Sequence, residues 1–357
     1  MKKPARLGKS PQDYARLGLA QDTVAPWEDG TRTGGGLRGT YEWWYFDARF
    51  DGGASLVIVF YTKPMSSPGA APDPHVTLRL VTPEGAEHSR VFRPKRRSDF
   101  SAAADHCDVR IGPCVFSDRG GLREYRVFFQ DDGITADVTL RSTTRPWRPE
   151  TGRLFFGADD RDYFAWLAAV PAGRVSAAIT INGKTETHSG TGYHDHNWGN
   201  VNIRKILHHW YWGRANIGDY TIITSFIWAE KKYGYQTFPI FLIARGPEII
   251  AEDAERVTFS ALEEWVEPAT GKPTHNVLSY EYDDGNRRLR VTYRREKSIL
   301  LFPMLNDVHG IIKLLAKLSG FDGAYHRFTG TASLEGIGNQ PETTALWELM
   351  FLGKEKK

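Results

Sequence analysis

Ten residues near mid-chain, Gly190–Gly199 (GTGYHDHNWG), hold two histidines, an aspartate, an asparagine and two aromatics between glycines. A second cluster, Tyr41–Asp47 (YEWWYFD), sets Glu42 and Asp47 among aromatic rings. Three kinds of role fit such residues. A His-x-His pair opens several metal sites on β-barrels, but those need a third and usually a fourth ligand. His188, His208, His209 and Glu186 stand at no supporting spacing, so neither a metal nor another cofactor is expected. Carboxylates among aromatics lose hydration, which raises their pKa and makes them proton donors, while aromatic faces stabilise a nearby cation. An acid beside aromatic walls is what protonation of an olefin to a carbocation requires. The third role is structural, with buried histidine and asparagine bridging strands and satisfying their own polar atoms.

Both clusters read as strands, and the two-residue period of a strand sorts their side chains. His194, His196 and Trp198 share one face, and Tyr193, Asp195 and Asn197 the other. In the earlier cluster Glu42, Trp44 and Phe46 lie opposite Trp43, Tyr45 and Asp47. The elements around them are of the same kind. Ser55–Tyr61, Tyr125–Gln130, Thr135–Leu140, Ser176–Ile181, Thr221–Trp228, Pro239–Ala244, Leu289–Tyr293 and Thr343–Phe351 are rich in β-branched and aromatic residues, and Asp-Gly or Asn-Gly turns punctuate them. Many short strands with few helical periods imply sandwiches or closed barrels rather than βαβ units. One helix is expected, Asn306–Leu318, apolar on one side with lysines opposite.

An internal repeat sets the domain count. Trp43-Trp-Tyr laid over Trp210-Tyr-Trp aligns three aromatics, then Ala48 with Ala215, and each segment runs through a short turn into an apolar strand. Two related β-domains in tandem follow: an N-terminal extension over 1–35, a first domain over 36–200 and a second over 201–357. Asp47 and Arg214 occupy equivalent repeat positions and are expected to pair with each other, a role that competes with Arg214 holding a substrate carbonyl for cyclisation.

The 357 residues carry 46 basic and 43 acidic side chains, a net charge of +3, with 41% apolar content. The single basic run, Arg93–Arg97, is too small an excess for nucleic-acid binding. No apolar stretch is long enough to span a membrane, and no apolar region follows the charged N-terminus, so a cytoplasmic protein with at most peripheral membrane contact is expected. Cys107 and Cys114 could close a hairpin disulfide but read better as two free thiols. No phosphate-cradling loop, nucleophile elbow or dinucleotide fingerprint in its strand-to-helix setting is present.

EWWYFDA and GTGYHDHNWGN, with Trp147-Arg-Pro-Glu-Thr-Gly152, Tyr163-Phe-Ala-Trp166, Trp210-Tyr-Trp-Gly-Arg214 and Tyr325-His-Arg-Phe-Thr-Gly330, resemble the carotenoid 1,2-hydratase (hydroxyneurosporene synthase) and AttH-like family over roughly residues 36–350. The resemblance implies an all-β fold of two lipocalin-like antiparallel barrels in tandem. It also implies hydration of isolated double bonds or, in distant lipocalin-like Diels–Alderases, cyclisation of polyenes. The hydratase His-x-Trp pair falls on His196 and Trp198. The hydratase pattern also has a downstream Tyr-x-Asp, whereas after Trp198 the nearest acidic–aromatic pairing here is Asp219-Tyr220, in reverse order, which turns the expectation toward cyclisation. The expected function is therefore an enzyme that binds a hydrophobic polyene or terpenoid and hydrates or cyclises it at a C=C bond. Glu42 or Asp195 would be the proton donor, and His194 and His196 would orient that acid or a water. Trp43, Trp44, Trp198 and Tyr211 would line the pocket, and Arg214 would hold a carbonyl. The alternative is a lipocalin-like carrier without chemistry, in which the polar string serves only interstrand hydrogen bonds.

Overall fold

The computed structural model describes residues 4–303 and 323–353. It comprises two compact units that change over in the chain between Ile203 and Arg204. The helix expected over Asn306–Leu318 lies outside the described residues. Among those described, no helix is long and apolar enough to cross a membrane.

In the first unit, hydrogen-bonded neighbours run Glu87–Phe92, His75–Val81, Ser55–Tyr61, Tyr41–Phe50, Lys184–Gly199, Asp162–Ile181, Ile134–Ser142, Glu124–Asp131, Cys114–Asp118, Asp108–Ile111 and Phe100–Ala102. Phe46, Leu56, Phe60, Val109, Phe116, Val127 and Val138 come from strands spread along this path yet pack into one cluster. The sheet therefore curls around its own core in lipocalin-like fashion, because a flat sheet would leave these side chains on one open face. Tight turns set the registers. Asp132-Gly133 and Asn182-Gly183 join strands that pair at Asp131 with Ile134 and at Ile181 with Lys184. All four turn residues have positive φ, from 31° to 84°, the conformation of a two-residue type I′ hairpin. Cys107 and Cys114 are free and buried here.

The unit begins at Leu7, so most of the stretch expected as a separate extension is part of it. Ser10 caps a short helix, Pro11–Leu17, with a reciprocal Asp13 contact. Farther on, Pro26–Asp29 forms a 3₁₀ turn with Glu28 and Asp29 buried. Arg148 fastens this turn. Its guanidinium pairs with Glu28 at 2.7 Å, both side chains being almost wholly buried, and it also donates to the carbonyls of Ala20, Thr23 and Glu150. A buried charge is tolerated only when so fully partnered.

The second unit orders its strands Glu248–Ala251, Thr237–Arg245, Tyr220–Ala229, Leu207–Ile217, Thr343–Phe351, Ala324–Glu335, Arg288–Pro303, Lys272–Asp283 and Val257–Glu267. Tyr211, Phe241, Tyr280, Tyr293, Phe328 and Trp347 fill its core. The fold is all-β, two lipocalin-like curled sheets.

Candidate active site

The Tyr41–Phe50 and Lys184–Gly199 strands are direct neighbours, with Glu42, Trp44 and Phe46 opposite Trp198, His196 and His194. This face points into the core, and Glu42, His194 and His196 are all 0% exposed. Glu42 is enclosed by five donors. Oε1 accepts from the Arg32 amide at 2.6 Å and His196 Nε2 at 2.8 Å. Oε2 accepts from the hydroxyls of Thr31 at 2.8 Å and Thr33 at 2.6 Å and from the Thr33 amide at 3.3 Å. Such surroundings suit an acceptor-only carboxylate and leave no oxygen directed at a substrate. The His196 ring is packed between Trp44, stacked at 4.6 Å, and Trp198 at 4.7 Å.

Asp29, which the sequence pattern did not single out, completes this layer from the 3₁₀ turn. Its Oδ2 accepts from the Tyr125 hydroxyl at 2.7 Å and from His194 Nε2 at 3.1 Å, while Oδ1 faces His196 Nδ1 at 3.5 Å. His194 Nδ1 meets the Tyr45 carbonyl at 2.9 Å. Both of its ring nitrogens thus face acceptors, the arrangement of an imidazolium. Burial opposes that charge, yet Asp29 outweighs it and holds His194 above its ordinary value. Burial likewise pushes Asp29 up, and His194 more than reverses this. Asp29, Cys107 and His194 bring three potential metal-ligand atoms within 4.8 Å of one another. The Cys107 thiol is pushed well up by burial and by Asp29, and Asp29 already accepts two hydrogen bonds, so the trio is arranged as a hydrogen-bonded knot.

The opposite face of the same two strands is different. Trp43, Tyr45 and Asp47 stand across from Asn197, Asp195 and Tyr193, with Tyr61 beside Trp43 and Trp166 beside Asn197. Trp43, Tyr45, Tyr61 and Trp166 are half-buried, and Asp195 at their centre keeps 8% exposure. Three side chains donate to Asp195. Trp166 Nε1 and the Tyr193 hydroxyl reach Oδ2 at 2.9 Å each, and Asn197 Nδ2 reaches Oδ1 at 2.7 Å. Burial pushes this carboxyl up to about 6, against the pull of Trp166, Tyr193, His194 and Asn197. A group poised there exchanges a proton near neutral pH.

The residues singled out from the sequence thus separate by face. Glu42, His194, His196, Trp44 and Trp198 belong to the sealed layer; Asp195 and Trp43 belong to the aromatic face, where Trp43 stacks on Tyr41 and Phe164. Tyr211 is buried in the second unit's core, its hydroxyl 2.9 Å from His275 Nδ1, and Arg214 lies half-buried on the same strand. Two cavities on the first unit, of about 710 and 520 Å³, have other walls, sharing His188. Trp166 and Tyr193 are Asp195 partners that the sequence pattern does not single out. Alternation places Tyr193 beside Asp195, whereas Trp166 reaches it through pairing with a distant strand.

The model of the Diels–Alderase-like family matches residues 37–267. The quinolone epoxide rearrangement protein of Emericella nidulans is 25% identical over 299 residues, spanning 80% of this chain and 80% of that protein. The acyclic carotenoid 1,2-hydratase of Rubrivivax gelatinosus is 23% identical over 208 residues, 55% of this chain and 50% of that one. The crystal structure of CghA with Sch210972 superposes with a TM-score of 0.65 over 94% of this chain and 98% of that chain at 15% identity, a likeness of fold. Two curled sheets, the motif strands at the centre of the first, and a family match across most of the chain make this protein an enzyme of the Diels–Alderase-like family.

Proposed function

We propose that the aromatic face around Asp195 binds a polyene, terpenoid or polycyclic substrate and that Asp195 protonates it, at a C=C carbon or at an epoxide oxygen. The observation carrying this reading is a carboxyl held near 6 amid half-buried tryptophans and tyrosines. Transfer of its proton to carbon leaves a carbocation, which the faces of Trp43, Tyr45, Tyr61 and Trp166 stabilise. Water captures that cation and gives up a proton in hydration, or an internal double bond captures it and the product cation loses a proton in cyclisation. Either way the proton returns to the Asp195 carboxylate and restores the acid. Protonation of an epoxide oxygen opens the ring to the same kind of cation, and migration followed by proton loss completes a rearrangement. The names of the relatives support both branches.

The test is turnover of a panel of acyclic carotenoids, terpenoid polyenes and quinolone epoxides in D₂O, read by mass spectrometry. Olefin protonation puts one deuterium on carbon, whereas epoxide opening changes connectivity. Asp195→Asn is expected to lower turnover by about 10²–10⁴-fold, the usual contribution of a general acid. Full activity in that variant would end the assignment. Binding without any product from the wild type would favour a carrier.

A further inference from the structure

Resting on the reading of Asp195 as the acid, we infer that its Oδ1 is the oxygen that carries and delivers the proton, and that Trp166 and Tyr193 are the positioning residues that keep the proton off Oδ2. An indole N–H can only donate, so the Oδ2 lone pair facing Trp166 Nε1 at 2.9 Å always accepts. The Tyr193 hydroxyl takes the second Oδ2 site at 2.9 Å. Oδ1 receives one hydrogen bond, from Asn197 Nδ2 at 2.7 Å, and so retains an open site. Asn197 also suits both protonation states. Its amide carries a donor and an acceptor on one carbon, so rotation by half a turn lets it donate to the anion or accept from the acid. A fixed carbonyl oxygen and a fixed hydroxyl oxygen give the proton one direction of departure, which is what face-selective protonation of a planar olefin needs.

Other ionisable groups surround Asp195 from each neighbouring element: Tyr193 on its own strand, with His194 on that strand's opposite face, Tyr45 and Asp47 across the ladder, and Tyr61 one strand further. The strand bearing Trp166 places no charged side chain directly opposite, its pairs there being Trp166 with Asn197 and Leu167 with His196.

Infrared difference spectroscopy of the full-length protein between pH 8 and pH 5 tests the inference, with Asp195→Asn identifying the Asp195 carboxyl band. A carbonyl stretch rises in frequency when the carbonyl oxygen loses a hydrogen bond. Trp166→Phe and Tyr193→Phe are each expected to raise the band, and Asn197→Ala to leave it in place. The reverse pattern, or an equal response to all three, overturns the inference while leaving Asp195 as an acid. A band that never forms above pH 5 removes the acid itself and the inference with it. A second measurement needs only Trp166→Phe for assignment and no functional variant. In wild-type NMR spectra across the same titration, the Trp166 indole proton should stay hydrogen-bonded and nearly unmoved while the Asn197 side-chain amide shifts; a large indole shift would place the proton on Oδ2.

Discussion

Glu42→Gln separates a structural carboxylate from a catalytic one, because the five donors around Glu42 leave an amide no good orientation. If the amide NH₂ takes the Oε1 position, the Arg32 amide, 2.6 Å away, loses its acceptor, although His196 can change tautomer. If it takes the Oε2 position, the Thr31 and Thr33 hydroxyls can rotate, but the Thr33 amide at 3.3 Å is orphaned. Either way at least one buried backbone N–H goes unsatisfied, costing about 1–3 kcal/mol. The bonds that survive become neutral ones, roughly half as strong as charge-assisted bonds, which adds about 2 kcal/mol. The sum is about 3–5 kcal/mol, or roughly 6–20 °C of midpoint for a unit of this size. Urea and thermal unfolding at pH 7, followed by intrinsic tryptophan fluorescence and circular dichroism, give the measurement. Turnover per folded molecule should stay near that of the wild type. A loss of stability under about 1 kcal/mol together with a collapse of turnover would refute the reasoning and return Glu42 to the chemistry.

Asp195 works in the opposite sense. Its carboxyl is raised from 3.8 to about 6 in the fold, so its contribution to stability is fully present below about 4 and is lost as pH rises through 6. The gap corresponds to about 3 kcal/mol. Asp195→Asn, which mimics the protonated form, should therefore stabilise the protein by up to that amount at pH 8 and by nothing below pH 4, as read from unfolding midpoints across pH. The Asp29–His194 pair has its own window. The depressed Asp29 loses its contribution as pH falls below the usual aspartate range, and the raised His194 loses its own as pH climbs above the usual histidine range. His194→Gln should cost about 3–5 kcal/mol between pH 4 and 6.5, with the deficit narrowing at both extremes. It should also raise the Asp195 titration, since His194 helps hold that carboxylate down; an unmoved infrared midpoint would contradict the coupling. Gly190→Ala would drive a Cβ to 2.1 Å from the Arg49 carbonyl and 2.7 Å from Phe50 Cα. Backbone cannot yield as a side-chain tip does, so a fall in melting temperature of several degrees is expected, and a neutral result would mean the two strands sit farther apart.

Strand periodicity made much of this legible in advance. Alternation alone divided His194, His196 and Trp198 from Tyr193, Asp195 and Asn197, and the structure keeps that division. Ser55–Tyr61 and Thr343–Phe351 begin and end as their β-branched and aromatic runs suggested. What alternation could not supply was which face is closed, because that depends on Asp29, Thr31 and Thr33, which arrive from a segment with no period of its own. Glu42 looked like an acid for the same reason: its aromatic neighbours are visible in sequence, whereas its five donors are not. Trp166 reaches Asp195 only through a strand pairing that carries two register shifts, between Leu167 and Gly173.

The division of labour between the two faces of one strand bears on how this enzyme can be re-engineered. Positions 43, 45 and 61 stand half-buried on the aromatic face while positions 42, 44, 194 and 196 lock the interior. A combinatorial library confined to the odd-numbered positions samples new pockets around Asp195 on an unaltered scaffold. One that includes the even-numbered positions spends most of its members on chains that do not fold.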